Sequence, residues 1–236
     1  MTKSGRKVLG ILGGVGPLAT AYFMETIIRR TEAASDQDHL EMVVLNHTEI
    51  PDRTAYILDS RSPDPGPVLA EDARRLESWG ADVIVIPCNT AHYFYPQVSR
   101  AVSIPLLNMI GETAGELSRL GARRAGLLAT TGTIRSGLYQ DALGQAGIEP
   151  VLPSERGQTA VMSLIYDDIK AGRPPEREKL RLLREEFPGC DRIVLGCTEL
   201  SLLKRLLSLD DFFLDALEVL AERSIQSCGK QVRPRP

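Results

Sequence analysis

The chain has 236 residues, of which 43% are apolar, and a formal net charge of −3 at neutral pH. This composition suffices for one large or two ordinary domains with a hydrophobic core, and the charge predicts no nucleic-acid partner. Four widely spaced cysteines exclude a disulfide scaffold and lack zinc-site spacing, so no metal is expected. Because glycines interrupt the apolar run near the N-terminus, we expect a cytoplasmic protein with no membrane partner.

Apolar runs alternate with amphipathic segments along the first half of the chain. An apolar run at 7–12 and a glycine turn at 13–17 come before a helical pattern. A second strand at 42–45 leads to the turn IPDR at 50–53. After a further helix, the apolar run at 82–86 predicts a third strand.

The same order returns in the second half. A strand at 124–129 ends in the small-residue turn TTGT at 130–133, which opens a predicted helix at 134–143. A helix at 158–170 and a strand at 192–195 complete the repeat. Two halves with one order of strand, turn and helix indicate a duplicated α/β unit.

The duplication predicts an α/β fold of two pseudo-symmetric domains that face each other, each with a parallel sheet flanked by helices. We expect the first domain at 1–105 and the second at 106–210. A C-terminal helix within 211–236 is expected to pack back on the first domain.

Two cysteines occupy equivalent positions in this repeat. Cys88 and Cys197 each follow a run of β-branched residues, so each is expected at the C-terminal end of a buried parallel strand, where α/β folds place their chemistry. The alternative for either one alone is a small buried hydrophobic side chain. Cys190 and Cys228 are expected to be a packed thiol and an exposed thiol near the tail.

Paired thiols suit the inversion of a stereocentre. Inversion needs a base on one face of a carbon and an acid on the other, because one group that returns the proton where it took it restores the starting enantiomer. A thiol, with an ordinary pKa of about 8.5, can act as the acid or the base near neutral pH if a helix N-terminus or polar neighbours lower its pKa. Both cysteines precede predicted helices, so both are expected at the positive end of a helix dipole.

Five motifs in order resemble one family. They are GILGGVGPLAT at 10–20, IPDR at 50–53, CNTAH at 88–92, TTGT at 130–133 and GCTE at 196–199. Together they resemble the cofactor-independent aspartate racemases of the Asp/Glu/hydantoin racemase superfamily. The resemblance covers essentially the whole chain. It implies two α/β domains around one active site, no cofactor such as pyridoxal phosphate, and a homodimer.

The resemblance also implies roles for individual residues. Cys88 and Cys197 match the two acid/base thiols. Contacts to the carboxylates and ammonium of a small dicarboxylic amino acid are expected from Arg53, Asn89, Thr90, Thr130, Thr133, Lys170 and Thr198. The residues expected to influence the protonation state of the thiols are Asp52, Glu199 and His92. The alternatives are a packing role for the histidine and a turn-stabilising role for the two acids.

Departures from the glutamate racemases favour aspartate. Those enzymes typically open with an Asp-Ser-Gly turn and carry a histidine after the second Cys-Thr pair, whereas this chain has a glycine turn and Glu199. Side-chain length stays open because one methylene changes binding by only about 1–3 kcal/mol. Glutamate is therefore kept as a second substrate.

Four other functions are weighed beside racemisation. A dicarboxylate isomerase or a decarboxylase of the same fold would use strand-end cysteines on acids without an amino group. A nucleotide-binding oxidoreductase would explain Gly14, Gly16 and Ala19 as a GxGxxA turn, but no acid ends the second strand to hold a ribose. A redox sensor would cross-link Cys88 and Cys197 on oxidation.

Overall fold

The computed structural model describes residues 6–176, 179, 181, 183 and 185–234. Three strands form the first sheet: β1 at Val8–Gly13, β2 at Glu41–Asn46 and β3 at Val83–Val85. All pair in parallel in the order β2-β1-β3. The central strand β1 is almost fully buried, as its continuous apolar sequence requires in a sheet covered on both faces.

Four strands form the second sheet: β4 at Arg124–Leu128, β5 at Glu149–Val151, β6 at Arg192–Leu195 and β7 at Phe213–Asp215. They pair in parallel in the order β5-β4-β6-β7. Two parallel sheets flanked by helices confirm the predicted α/β class.

Helices connect the strands and cover both sheets. In chain order they are α1 at Pro17–Arg30, α2 at Arg53–Leu58, α3 at Gly66–Ser78, α4 at Tyr95–Ser99, α5 at Met109–Arg119, α6 at Thr131–Ser136, α7 at Leu138–Gln145, α8 at Glu155–Ser163, α9 at Thr198–Leu207 and α10 at Ala216–Ser227. Shorter helical turns are 3₁₀ turns at Asp36–Asp38 and Thr90–Phe94, and a π-helical turn at Leu164–Ile169. Within the described part of the chain, no helix is long and apolar enough to cross a membrane.

The two sheets share one topology. The order β2-β1-β3 in the first corresponds to β5-β4-β6 in the second. The correspondence extends beyond these strands, because Leu106 pairs with Ile84 in a parallel bridge beside β3, just as β7 pairs with β6. Each of these outer segments then leads into a capped helix, with Asn108 at the start of α5 and Asp215 at the start of α10.

These two capped helices pack against the opposite sheet's core. Helix α5 follows the first sheet but contributes Leu117 to a cluster with Leu127 of β4 and Tyr139 of α7. Helix α10 follows the second sheet but contributes Leu220 to a cluster with Leu9 of β1. Burial of each leucine contributes about 1.5–3 kcal/mol to the stability of the fold. Because each helix packs on the other sheet, the two halves are joined through their cores.

Several sequence-based bounds differ from the structure. The predicted helix within 211–236 begins only at Ala216, because β7 occupies Phe213–Asp215 first. The helix predicted at 134–143 is two helices that meet at Gly137, whose φ of 72° interrupts them. The prolines at 174–175 also predict the start of a helix, and that helix runs into positions outside the described residues. The domain limits 1–105 and 106–210 stay a prediction.

All four cysteines are buried, and none forms a disulfide. Burial of Cys190 agrees with its expected packing role. The expectation of an exposed Cys228 was wrong: this thiol packs in the cluster beneath α10 together with Leu9 and Ile225. Burial raises the pKa of Cys228 to about 11, so it is a poor nucleophile at neutral pH.

Candidate active site

Cys88 lies just beyond the C-terminal end of β3. The strand segment at 83–86 is completely buried, and the chain turns there so that the amide of Cys88 donates to the carbonyl of Ile86 at 2.7 Å. The residue Cys88 is 7% exposed. A 3₁₀ turn of five residues, Thr90–Phe94, follows it and leads directly into the short helix α4, so the helix predicted after this thiol begins as a 3₁₀ turn.

Cys197 occupies the equivalent position after β6. It is the N-cap residue of α9, with extended backbone angles, and the ten-residue helix directs its N-terminal amides towards this end of the sheet. The expected helix N-terminus is therefore present at this cysteine. Its Sγ–H donates to Oε2 of Glu199 at 2.9 Å.

Both thiols line one small cavity between the two sheets. Its volume is ≈ 20 Å³, room for about one water molecule. The residues around it are Val15, Asp52, Arg53, Thr54, Cys88, Asn89, Thr90, Thr130, Tyr166, Lys170, Cys197, Thr198 and Glu199. Of the sequence-predicted site residues, only Thr133 and His92 do not line the cavity.

Three threonine hydroxyls form a buried cluster at its wall. The hydroxyl of Thr90, two residues after Cys88, lies 3.0 Å from that of Thr130 and 2.9 Å from that of Thr133, and the latter two are 3.1 Å apart. Thr130 also caps α6 by accepting from the amide of Thr133. Thr133 thus reaches the site through its two partners, and the cluster joins the first half of the chain to the second.

Asn89 has one half of its amide paired and the other half free. Its Oδ1 accepts a hydrogen bond of 2.6 Å from the hydroxyl of Tyr139 on α7. Its Nδ2 is buried without a partner among the described residues. A buried donor without a partner costs about 1–3 kcal/mol, so a ligand acceptor at this atom would be favoured.

Arg53, which the sequence places at the end of the turn at 50–53, is the first residue of helix α2. Its Nη1 donates to the carbonyls of Ile50 and Pro51, at 3.2 and 2.9 Å, and its Nη2 lies 3.4 Å from the carbonyl of Val15. These contacts hold the guanidinium in place. In the described part of the chain, its buried Nε has no partner.

Lys170 ends the π-helical turn at Leu164–Ile169. Its Nζ lies 3.8 Å from Oε1 of Glu199 and 4.5 Å from the ring centre of Tyr166. Burial opposes the charged form, yet attraction to Glu199 and smaller contributions from Tyr166 and the two thiols outweigh it and leave the pKa of Lys170 above its ordinary value. The residue is a cation at neutral pH.

Asp52 and His92 have structural partners. Asp52 caps α2 by accepting from the amide of Ala55 at 2.8 Å, although it also lines the cavity. His92 is fully enclosed: one ring nitrogen lies 2.9 Å from the carbonyl oxygen of Cys88, and the other accepts from the amide of Met109. Burial lowers the pKa of His92, so the ring is neutral and links Cys88 to the start of α5.

The glycine turn after β1 has an internal explanation. Gly14 has a φ of 89°, and a side chain there would collide with the backbone of His47. Its amide donates to Thr20. At Gly16, a Cβ atom would come within 2.9 Å of Oε1 of Glu199. These positions therefore require glycine because other parts of the same chain come close to them. The GxGxxA pattern, which was the main support for a nucleotide site, is explained without a nucleotide.

Tyr139, Tyr166 and Thr54 were missed in the sequence. Tyr166 lies on the π-helical turn, and π turns in proteins occur frequently at functional sites, but neither tyrosine belongs to a recognisable motif. Thr54 borders the cavity because it directly follows Arg53 on a helix that the sequence did not reveal.

Comparison with known proteins agrees with this geometry. The family model described as Asp/Glu/Hydantoin racemase matches residues 12–223. The chain belongs to the Asp/Glu/hydantoin racemase family. It is therefore an isomerase of the amino-acid racemase type, as the resemblance of its motifs implied.

The relatives that this chain resembles align with it over different lengths. The structure of Picrophilus torridus aspartate racemase superimposes with a TM-score of 0.82, at 33% identity over 96% of each chain. A broad specificity amino-acid racemase from Bacillus subtilis (strain 168) is 28% identical over 93% of this chain and 97% of the relative. A glutamate racemase from Aquifex aeolicus is 31% identical over 57% of this chain and 53% of its own.

Proposed function

We propose that the chain interconverts L- and D-aspartate by a two-base mechanism, with Cys88 and Cys197 on opposite faces of the substrate Cα. One observation carries the proposal: the two thiols line the same cavity from equivalent ends of two sheets with the same topology. The similarity to an aspartate racemase across nearly the whole of both chains supports aspartate as the substrate.

The reaction needs one thiolate and one thiol. The thiolate removes the Cα proton to form an S–H bond, and the electron pair of the broken C–H bond passes into the adjacent carboxylate. The thiol on the other face then gives its proton to Cα and becomes the thiolate. Cys88 and Cys197 exchange these roles when the opposite enantiomer reacts.

Donors around the cavity suit the charge that develops. The free Nδ2 of Asn89 and the free Nε of Arg53 are buried donors without partners in the described part of the chain, and an anionic carboxylate would satisfy both. Lys170 supplies a second cation from the other half of the chain. Two cations from two domains suit a substrate with two carboxylates.

Entry of the substrate requires the site to open. The cavity between the thiols is ≈ 20 Å³, whereas a neighbouring cavity of ≈ 310 Å³ shares Arg53, Lys170 and Glu199 with it. We infer that the substrate arrives through this outer cavity and displaces Glu199 from Lys170. The narrow inner cavity then corresponds to a closed form of the site.

A wider substrate range is the second candidate. The Bacillus subtilis relative is a broad specificity racemase that matches nearly full length, and the outer cavity carries apolar side chains from Pro17, Leu18, Ile169 and Leu202. Such a wall would accept side chains larger than that of aspartate.

A substrate panel tests both candidates. The reduced protein, without added cofactor, is incubated with L-aspartate, L-glutamate, L-methionine, L-lysine and maleate. The chirality of the amino acids is followed by chromatography, and the conversion of maleate by NMR. We expect racemisation of aspartate to be fastest. Comparable rates for methionine or lysine would support the broad range, conversion of maleate alone would indicate a dicarboxylate isomerase, and no reaction of any amino acid would contradict the proposal.

A further inference from the structure

The two thiols have different surroundings. Cys197 donates to Oε2 of Glu199 at 2.9 Å, and both side chains are buried. The other carboxylate oxygen of Glu199 lies 3.8 Å from Nζ of Lys170. Among the hydrogen bonds of the described residues, the Sγ of Cys88 has no carboxylate partner of this kind.

The distance between Cys197 and Glu199 restricts their joint charge. Two acidic groups about 3 Å apart in a buried site do not ionise together, so the pair keeps one proton. The geometry puts the hydrogen on sulfur, because Sγ–H of Cys197 donates to one carboxylate oxygen of Glu199 while Nζ of Lys170 lies 3.8 Å from the other. The shared proton therefore stays on sulfur.

The other charged groups facing this pair do not reverse the preference. Arg53, Asp52, Tyr166 and Cys88 line the same cavity. Arg53 is tied to backbone carbonyls of its own loop, and Asp52 accepts from the α2 amide of Ala55. Burial, reinforced by Glu199, raises the pKa of Cys197 well above its ordinary value.

We propose that Glu199 is a positioning residue that holds the proton on Cys197 in the free enzyme, so that Cys197 enters the reaction as the acid. Its role in catalysis rests on the proposed racemase function. The resting enzyme is then prepared for the enantiomer whose Cα–H faces away from Cys197. Because the two enantiomers are equally stable, kcat/KM must be equal in both directions, and the asymmetry shows in kcat and KM separately.

Alkylation of the two thiols tests the proposal without any substrate. Wild type and Glu199→Gln are treated with iodoacetamide across a range of pH, and the rates at Cys88 and Cys197 are mapped by mass spectrometry. In the wild type, Cys88 should reach half its maximal rate at a lower pH than Cys197. Glu199→Gln should raise the ratio of the Cys197 rate to the Cys88 rate at pH 7.5 by about tenfold or more, equivalent to a fall of one pKa unit.

Two further variants separate charge from packing. Glu199→Asp keeps the carboxylate and should hold the ratio nearer the wild-type value than Glu199→Gln does. Glu49→Gln removes an exposed charge and should leave the ratio unchanged. If Glu199→Gln only loosened the fold, both thiols would react faster together and the ratio would stay constant.

An unchanged ratio in Glu199→Gln, or a wild-type protein in which Cys197 ionises at lower pH than Cys88, would overturn the proposal. The wild-type comparison holds even if the variant does not fold. Because no amino acid is present, these outcomes are independent of the racemase assay: loss of the ratio shift refutes the role of Glu199, whereas absence of racemisation refutes the proposed function.

Discussion

The hydroxyl of Tyr139 donates a 2.6 Å hydrogen bond to Oδ1 of Asn89, although the two residues follow strands of different sheets. The bond is completely buried and leaves Nδ2 of Asn89 as the free donor at the cavity. Tyr139 thereby fixes which end of the amide faces a ligand. It also joins the two halves of the molecule directly beside Cys88.

Removal of this hydroxyl is expected to affect both stability and activity. Tyr139→Phe leaves Oδ1 of Asn89 buried without its donor, so the free energy of unfolding should fall by about 1–3 kcal/mol in urea titrations. Racemisation should lose kcat/KM because the amide is no longer oriented. Tyr93→Phe, at a 43% exposed tyrosine, is the matched control and should change neither value. Equal effects of both substitutions would refute the orienting role.

Each proposed acid/base thiol should be indispensable. Cys88→Ser and Cys197→Ser are expected to reduce the rate of racemisation by about a thousandfold or more, because a serine hydroxyl is a far weaker acid and base at neutral pH. Thermal unfolding should show that both variants remain folded. Cys228→Ser, at a cysteine that does not line the cavity, should keep its activity. Near-normal rates in either strand-end variant would disprove the two-base mechanism.

Arg53 should matter for carboxylate binding. Arg53→Ala removes a charged contact and is expected to lower kcat/KM by about 3 kcal/mol, roughly a hundredfold. Arg53→Lys keeps the charge but not the fixed planar group and should recover only part of the loss. Arg61→Ala, at an exposed arginine paired with Asp59, is the control. Unchanged kcat/KM in Arg53→Ala would exclude this anchor.

His92 predicts a dependence of stability on pH. Burial lowers its pKa in the folded protein, whereas the unfolded chain binds a proton near pH 6.5. Below that pH the unfolded state holds more protons, so stability falls as pH falls, by up to about 1.4 kcal/mol per pH unit from this group. Urea titrations at pH 7.5, 6.5 and 5.5 should show a shallower loss for His92→Gln than for wild type. An equal slope would show that another group causes the loss.

Sequence patterns predicted the parts of the site that lie at the ends of strongly apolar strands. Continuous apolar runs end at Cys88 and Cys197, and the internal repeat relates the two ends to each other. The confirmed α/β class follows from the same runs. Strand ends are predictable because their position depends mainly on local apolar sequence.

Contacts between distant parts of the chain were not predictable in the same way. Tyr139 meets Asn89 only because α7 packs beside the first half, and no local pattern reports such a partner. Arg53 begins a six-residue helix whose signal, a capping Asp52 after a proline, resembles an ordinary turn. Strand β7 was missed because three residues are too few to show a period. Short elements and side-chain partners depend on tertiary packing.

The two-base mechanism is tested most directly by the first turnovers of L-aspartate in D2O. The reaction of the reduced wild-type enzyme is sampled before about a tenth of the L-aspartate has been converted. Deuterium at Cα is then measured in each enantiomer after chiral separation. We expect the D-aspartate formed to carry deuterium, delivered by the solvent-exchanged second thiol, while the remaining L-aspartate keeps its protium. Deuterium entering L-aspartate as fast as D-aspartate appears would contradict the account, because one base would then serve both faces.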